Sequence, residues 1–510
     1  MESFSDEVLD LVPDGVLKRG APVRLQPAFR KSRVDVLQLE LMSESLNDLV
    51  PSDDPCRLVV KLIALLDLKS VKNSLPLVGA PSYPLEIMLA LVMFAMWDGE
   101  YGSRRVEKRC KFDNRYRWIC QGFTPDHTTI WRFRRFIGEE IDSLLADSVR
   151  LGKEAGLESL GRASLDGTKL PGAASQWRKF RNAFDDADIA LESNDEQDDD
   201  CSSGEPLEPK EFSAVEKASA IIDEFKKGKR NREPLPCSDP EARTLKGRQG
   251  NFIVGYNPSV LVDRDTDLIS AFYMSNSASD SALLEPALEK YFDIYDEFPN
   301  DLLADAGFDT PRNAHVLAEL GIDAYVSCKE RTPFWRLDEN DQLLCPMGYI
   351  PKYDVNFLRK GISVNRYVVH ECSTCKLRSK CLKEENSKPK SISFDSIANP
   401  VHWIRQKHKA KSEDGKAKLK ERGETIEFGF ARMKQRFGFR RLSMWGLKGA
   451  AIEFGIVALA MNLAIIAAKT GHEGLEALLT DLLLAVCAQA RFLKHSFFAS
   501  RAILGRITSS

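Results

Sequence analysis

The stretch from Arg162 to Gly172 reads RASLDGTKLPG. Its short apolar run predicts a strand that ends at Asp166 and Gly167. Asp can hydrogen-bond its own backbone and Gly accepts a positive φ, so one interpretation is turn chemistry alone. The other interpretation is that Asp166 is a functional carboxylate at a strand end. The choice between them depends on whether other carboxylates occupy similar positions further along the chain.

A second aspartate also follows an apolar strand. Residues 300–314 read NDLLADAGFDTPRNA and place Asp305 directly after the strand and shortly before a Gly. Side chains at the C-terminal ends of strands converge on one edge of an α/β sheet. Asp166 and Asp305 are therefore expected to face each other at that edge.

The surrounding pattern predicts an α/β fold. Residues 251–276, NFIVGYNPSVLVDRDTDLISAFYMSN, split at DRDTD into two strands joined by a tight turn. Helical and strand patterns then alternate up to residue 328. A three-strand meander followed by parallel strands predicts a mixed sheet flanked by helices. Asp280, in SASDSALLEP, is interpreted as a helix cap rather than a ligand.

The chain is predicted to divide into six parts. These are a mobile arm (1–30), a helical DNA-binding domain (31–155), core strands (156–328) with a charged insert (about 171–245), a Cys-rich insertion (329–399), core helices (400–470) and a helical tail (471–510). Residues 185–200 of the insert hold nine acidic residues and no basic one, which is typical of a disordered segment. Asp126 is predicted to cap the helix that follows it.

The formal net charge of −3 does not by itself suggest a nucleic-acid binder, but the charge is uneven. Residues 402–448 hold fourteen Lys and Arg against five Asp and Glu, a local excess of nine positive charges. Such a patch predicts a phosphate-binding surface. Arg132, Arg134 and Arg135, interleaved with aromatic residues, are further candidates for contacts with DNA phosphate.

The N-terminal sequence MESFSDEVLDLVPDG is acidic and lacks the apolar core of a signal peptide. The most apolar stretch, 450–469, is interrupted by Glu453 and Asn462, which predicts a buried helix rather than a membrane span. Eleven cysteines without a secretion signal favour a reducing compartment. A cytoplasmic protein with no membrane partner is expected.

Four of the cysteines fall within one 37-residue span: Cys345, Cys372, Cys375 and Cys381. A pair separated by two residues, with one further cysteine on either side, suits a structural zinc site held by four thiolates. His370 could replace one ligand, and four unrelated thiols are the alternative.

Residues 422–441, RGETIEFGFARMKQRFGFRR, predict a helix. Glu427 and Lys434 are seven residues apart, so they share one face of that helix. The same pattern also fits an ordinary amphipathic helix with a solvated basic side.

Together, residues from about 31 to 470 resemble the bacterial insertion-sequence transposases whose active site is an Asp-Asp-Glu triad on an RNase H-like fold. The resemblance rests on the order of the motifs DHTTIWRFRR, LDGTK, VGYNPSVLVD, LLADAGF, the Cys-bearing insertion and TIEFGFARMK. It implies that Asp166, Asp305 and Glu427 form the triad and hold two Mg²⁺ or Mn²⁺ ions, with Asp166 bridging them. It also implies that Lys434 contacts DNA phosphate. Arg436, Arg440 and Arg441 are expected to line the same surface.

The resemblance further implies a two-step reaction, in which water frees a 3′-hydroxyl at the element end and that hydroxyl then attacks target DNA. The expected partners are double-stranded DNA, as terminal inverted repeats and target, and a second copy in a homodimer on paired ends. Many relatives carry an Arg four residues before the glutamate. Here Gly423 stands there, so no role is assigned to the neighbouring Arg422.

The sequence leaves two alternatives to an active transposase. One is a catalytically inactive, transposase-derived DNA-binding protein. The other is a phosphatase with an aspartyl nucleophile, which is disfavoured because Ser164 stands where its Asp-x-Asp-x-Thr pattern needs the first Asp.

Overall fold

The computed structural model describes residues 45–75, 82–159, 161–173, 239–247, 251–328, 335–359, 362–382 and 388–507. At 424–428 and 482–507 it describes the backbone alone. The predicted arm (1–30) and the acidic run (185–200) lie outside the described residues. The described chain forms two compact units, one drawn from Met1–Glu140 and Thr470–Ser510, the other from Ile141–Lys469.

The first unit is helical, as predicted for its N-terminal part. Its helices before residue 141 are α1 (Pro55–Leu65), α2 (Lys69–Asn73), α3 (Leu85–Trp97), α4 (Ser103–Phe112), α5 (Asn114–Ile119) and α6 (His127–Glu139). Nearly every residue of α3 is buried, which is typical of a central helix that is apolar all round. The predicted cap of α6 is confirmed, because the Asp126 side chain accepts a hydrogen bond from the Thr129 N–H at 2.7 Å.

The second unit is built on a mixed sheet. Its strands are β1 (Arg162–Gly167), β2 (Leu170–Pro171), β3 (Arg243–Lys246), β4 (Phe252–Asp263), β5 (Ile269–Ser275), β6 (Asp301–Ala304) and β7 (Asp323–Val326). Strands β1 and β5 both pair antiparallel with β4, while β6 runs parallel to β1 and β7 runs parallel to β6. The predicted meander and parallel strands are therefore present. As a consequence, β1, β5, β6 and β7 all end at the same edge of the sheet.

Helix α7 (Ile141–Glu154), which the sequence assigned to the N-terminal domain, lies in the second unit. Its buried residues include Leu144 and Leu145, and the helix packs against β5. The approach is close at Gly152, where a Cβ would lie 2.6 Å from Leu268 Cδ1. The boundary between the two parts therefore lies after Glu140 and not at residue 155. The sequence misplaced it because the pattern of an amphipathic helix shows that the helix needs an apolar partner but does not identify that partner.

Helices connect and cover the parallel strands. Helix α8 (Leu284–Tyr295) joins β5 to β6, and α9 (Pro311–Glu319) joins β6 to β7. Their residues Leu284 and Leu317 share a hydrophobic core with Leu165 of β1. Helix α11 (Pro400–Lys411) packs against α9, and α12 (Glu413–Gln435) packs against β1, β6 and β7.

The segment between β7 and α11 forms a small region of its own. It contains the hairpin β8 (Arg336–Leu337) and β9 (Leu343–Leu344), the antiparallel sheet β10 (Lys352–Arg359), β11 (Ile362–Val368) and β12 (Ser391–Asp395), and the short helix α10 (Arg378–Cys381). Trp335, Ile392 and Phe394 form its core together with Cys345 and Cys372.

Helix α13 (Gly446–Ile507) changes direction at Gly471, whose φ of 71° suits glycine. Among the described residues it is the one helix that is long and apolar enough to cross a membrane. However, 94% of its most apolar 18-residue stretch is buried within the protein. The prediction of a buried helix is thus confirmed. Fully buried Glu453 accepts hydrogen bonds from Ser443 Oγ and the Met444 N–H, and Asn462 bonds the N–H and C=O of Ile269.

Candidate active site

Asp166 and Asp305 lie side by side at the edge where the strands end. Asp166 is the penultimate residue of β1, and Asp305 directly follows β6. The residues before them, Leu165 and Ala304, lie opposite each other in the parallel pair of strands. The Asp166 side chain is 8% exposed and its Oδ1 accepts the N–H of Gly167 at 2.8 Å, whereas the Asp305 side chain is 46% exposed. One carboxylate is therefore fixed and the other faces solvent.

A single guanidinium faces both carboxylates. Arg422 Nη1 lies 3.4 Å from Asp166 Oδ2, and Nη2 lies 3.5 Å from Asp305 Oδ1. The Arg422 side chain is only 13% exposed, so its poorly solvated charge offsets the repulsion between the two neighbouring carboxylates. The sequence assigned no role to Arg422, and the structure corrects this. A family offset counted in residues does not reveal which helix position faces the sheet.

Helix α12 is held along its length by side chains of the strands beneath it. The contacts are Asp414 with Tyr325 of β7 (2.8 Å), Lys418 with Asp301 of β6 (3.4 Å), Arg422 with the two aspartates, and Lys434 with Thr168 after β1 (3.0 Å). Glu427 lies in this helix between Arg422 and Lys434, with its side chain outside the described part. Seven residues are close to two helical turns, so position 427 shares the face on which Lys434 reaches the end of β1.

The basic residues predicted to contact DNA follow at the C-terminal end of α12. They are Lys434, which is half-buried, and Arg436, Arg440 and Arg441, which are exposed. Lys434 Nζ donates to Thr168 Oγ1, and Arg441 Nε donates to the C=O of Gly172 at 2.9 Å. This end of the helix is thereby tied to the segment that follows Asp166.

The arginines predicted on α6 have different environments. Arg134 is 3% exposed, and its Nη1 donates to the C=O of Tyr101 at 2.7 Å. The prediction that it contacts DNA phosphate is wrong, because Arg134 lies on the buried face of α6 with Ile130 and Ile137. Arg132 and Arg135 are exposed.

Asp280 was predicted to be a helix cap, and the structure overturns this. The cap of the short turn Asp280–Ala282 is Ser279, whose side chain accepts the N–H of Ser281. The Asp280 carboxylate instead turns to the strand ends, and its Oδ1 accepts a hydrogen bond from Asn257 Nδ2 at 2.6 Å.

The glycines after both aspartates make room for Asp280. A Cβ on Gly167 would lie 3.0 Å from Asp280 Oδ1, and a Cβ on Gly307 would lie 3.0 Å from Oδ2, closer than most real Cβ contacts. Neither glycine has a positive φ, so turn geometry does not explain them. Strand direction was the feature of the sequence that could have placed Asp280 at this edge. In the predicted meander β5 runs the same way as β1, so residues after β5 reach the same edge.

The loop after Asp305 is held by α11. Trp403 Nε1 donates to Asp309 Oδ1 at 2.6 Å, and Lys407 Nζ donates to Asp309 Oδ2 at 2.7 Å. The Lys407 and Asp309 side chains are 8% and 12% exposed, and breaking such a pair on one side leaves an uncompensated charge. These contacts fix the segment that begins at Asp305.

The four clustered cysteines line one pocket, together with Arg378 and Lys390. The N–H of Tyr349 donates to Cys345 Sγ at 3.3 Å, and the N–H of Lys390 donates to Cys372 Sγ at 3.4 Å. Burial raises the pKa of the Cys381 thiol; Lys390 opposes this, and the three other cysteines raise it further. His370 is exposed and does not line the pocket.

Comparison with known families gives two matches. Residues 344–467 match the family model described as Transposase DDE domain, and residues 44–136 match the one described as Transposase domain (DUF772). The first match covers the four cysteines and α12 with Glu427, and the second covers most of the helical part before residue 141. Neither match covers the strands that precede Asp166 and Asp305. No curated protein matches the chain.

Proposed function

Since this chain belongs to the insertion-sequence DDE transposases, we propose that it cuts the ends of its element and joins the freed 3′-hydroxyl to target DNA by two-metal phosphoryl transfer. The observation that carries the proposal is the pair Asp166 and Asp305, adjacent at two strand ends and facing Arg422. The strand order supports assignment of the mixed sheet to the RNase H-like fold.

The donor set at this edge suits hard divalent cations. Carboxylate oxygens are the ligands that Mg²⁺ and Mn²⁺ prefer, and we assign Asp166, Asp305 and Glu427 to them. When bound, two such ions activate the attacking oxygen and stabilise the leaving one. Arg422 offsets the repulsion between Asp166 and Asp305. We expect the contacts of Lys434 and Arg422 to keep position 427 in reach of the same edge.

We assign DNA binding to two surfaces. One is the C-terminal end of α12 with Lys434, Arg436, Arg440 and Arg441, and the other is the exposed side of α6 with Arg132 and Arg135. Local charge decides phosphate binding, because distant acidic residues are screened beyond a Debye length of about 8 Å at physiological salt. A cytoplasmic homodimer on paired element ends is part of the proposal.

The proposed function is tested by cleavage of DNA that carries the element ends. We expect strand cleavage with Mg²⁺ or Mn²⁺ and its loss on addition of EDTA. Binding of the ends without cleavage under every metal condition would support the inactive, DNA-binding alternative instead.

Replacement of Lys434 by Gln is expected to weaken DNA binding across sequences. Loss of one phosphate contact reduces the slope of log affinity against log salt by about one unit. Binding is measured over a salt series by fluorescence anisotropy. The control is Lys290→Gln. Lys290 lies on α8, outside the two surfaces assigned to DNA binding, and pairs with Asp142 at 2.5 Å. An unchanged slope with reduced cleavage would instead make Lys434 a residue of the chemical step or of positioning.

We further propose that Asp280 positions the two catalytic strand ends. Its Oδ1 faces Gly167 and its Oδ2 faces Gly307, and a Cβ on either glycine would lie 3.0 Å from the oxygen. Asn257 orients the carboxylate. Asp280→Ala is expected to lower cleavage by roughly 10–100-fold, the usual effect of losing a group that orients metal ligands. Asp280→Asn should retain more activity, because its volume is conserved.

The matched control for Asp280 is Ser279→Ala. It removes the exposed side chain that caps the same turn through Ser281 and leaves the Asp280 carboxylate in place, so cleavage should remain near normal. If Ser279→Ala lowers cleavage as much as Asp280→Ala, the carboxylate has no special role and the turn alone is responsible.

We assign a structural zinc ion to Cys345, Cys372, Cys375 and Cys381. Their common pocket and the N–H bonds to two of the sulfurs support this, since four-thiolate sites are typical of structural zinc. Binding has to draw the thiolates together, because no three of these four described sulfur atoms lie within 4.8 Å of one another. The ion would brace the small region between β7 and α11.

A further inference from the structure

Three potential metal ligands lie together where α9 packs against α11, outside both sites described above. His315 and Glu319 are one turn apart on α9, and His402 is on α11. Their ligand atoms all lie within 4.8 Å of one another. Within the described ranges this is the one group of three or more His, Cys, Asp or Glu side chains that meets this distance.

His315 supplies a second, independent observation. Its Nδ1 atom is buried and has no hydrogen-bond partner, although buried polar atoms nearly always have one. The nearest carboxylate oxygen, Glu319 Oε1, is 3.9 Å away, which is too long for a hydrogen bond. Two atoms that each bind one ion at about 2.0–2.2 Å can be separated by such a distance. A shared ion would therefore satisfy Nδ1.

The donor set selects the class of metal. We propose that His315, Glu319 and His402 bind a Zn²⁺ ion, separately from the cysteines and from the catalytic carboxylates. Two imidazoles and a carboxylate are a zinc ligand set with a fourth position open, and imidazole disfavours Mg²⁺. The Glu319 side chain is 66% exposed and the His315 side chain 25%, so an ion in solution can reach the site.

The site lies between two helices that adjoin the segments carrying Asp305 and Glu427. Helix α9 begins six residues after Asp305, and α11 leads directly into α12, which carries Glu427. The residue after His402, Trp403, already binds Asp309 in the loop after Asp305. An ion bound between α9 and α11 would stabilise the packing of these two helices. Its benefit to catalysis rests on the proposed function, but binding of the ion does not.

The test is cobalt substitution of the full-length, reduced protein after removal of metals. Co²⁺ bound by thiolates gives intense sulfur-to-metal charge-transfer absorption, whereas Co²⁺ bound by His and Glu gives weak visible bands without it. The titration is run in excess Mg²⁺, which occupies the carboxylates assigned to catalysis. We then expect two binding steps for Co²⁺, of which one lacks charge transfer. His315→Ala and His402→Ala should lose that step alone, and Glu319→Gln should weaken it by at least about 10-fold.

The matched control is His408→Ala, an exposed histidine on α11 outside the group, which should retain both steps. Glu319→Gln changes an exposed side chain, so it provides a folded variant if a histidine variant unfolds. The proposal is overturned if no step without charge transfer appears, or if that step persists in His402→Ala and Glu319→Gln. Because the readout is absorption, it stands apart from whether the protein cleaves DNA.

Discussion

Replacing Asp166 by Asn is expected to lower Mg²⁺-dependent DNA cleavage by at least about 100-fold, comparable with removal of one group that stabilises transition-state charge. The substitution conserves volume but removes the negative charge of a proposed metal ligand. Asp166 is the more buried of the two aspartates, so water is poorly placed to replace it. The measurement is strand cleavage of DNA carrying the element ends.

DNA binding separates this loss from misfolding. Asp166→Asn should still shift the same DNA in an electrophoretic assay and should melt near the wild-type temperature. Asp305→Asn and Glu427→Gln are expected to behave in the same way, because we assign all three carboxylates to one metal pair.

A suitable control is Asp293→Asn, an exposed aspartate on α8, which should cleave normally. Near-normal Mg²⁺-dependent cleavage by any of the three variants would remove that residue from the triad. Loss of cleavage in the control as well would show that the assay reports general damage.

Replacing Cys375 by Ser is expected to release a thiolate-bound zinc ion and destabilise the region between β7 and α11. Zinc binding contributes folding free energy, with apparent values of about 10–16 kcal/mol in small zinc-dependent peptides. Protein purified without chelator should hold one zinc ion per chain that a thiol-modifying reagent releases. Elemental analysis and hydrogen exchange in residues 335–382 measure the two effects.

Cys328→Ser is the matched control, because Cys328 lies outside the pocket and should leave the zinc content unchanged. Wild-type protein without thiol-bound zinc, or a Cys375→Ser variant that keeps it, would contradict the assignment. Residual cleavage by folded Cys375→Ser protein is expected, since the proposed ion would support structure rather than chemistry.

Several features followed from local sequence. The meander, the parallel strands and the buried helix with Glu453 and Asn462 were predicted because residue patterns of period two and long apolar runs specify elements directly. The position of Asp166 and Asp305 also followed, since topology fixes which strand ends share an edge.

What the sequence by itself determined is therefore the main core strands and helices, their order and the pairing of the two strand-end aspartates. Only the tertiary structure decided which face of each helix turns inward: it buried Arg134, brought Arg422 between the aspartates and placed Asp280 against Gly167 and Gly307. The physical reason is that a helical pattern records an apolar stripe, while the partner of a polar side chain is set by contacts between residues far apart in the chain. Arg422 and Asp166 are 256 residues apart, and no local pattern joins them.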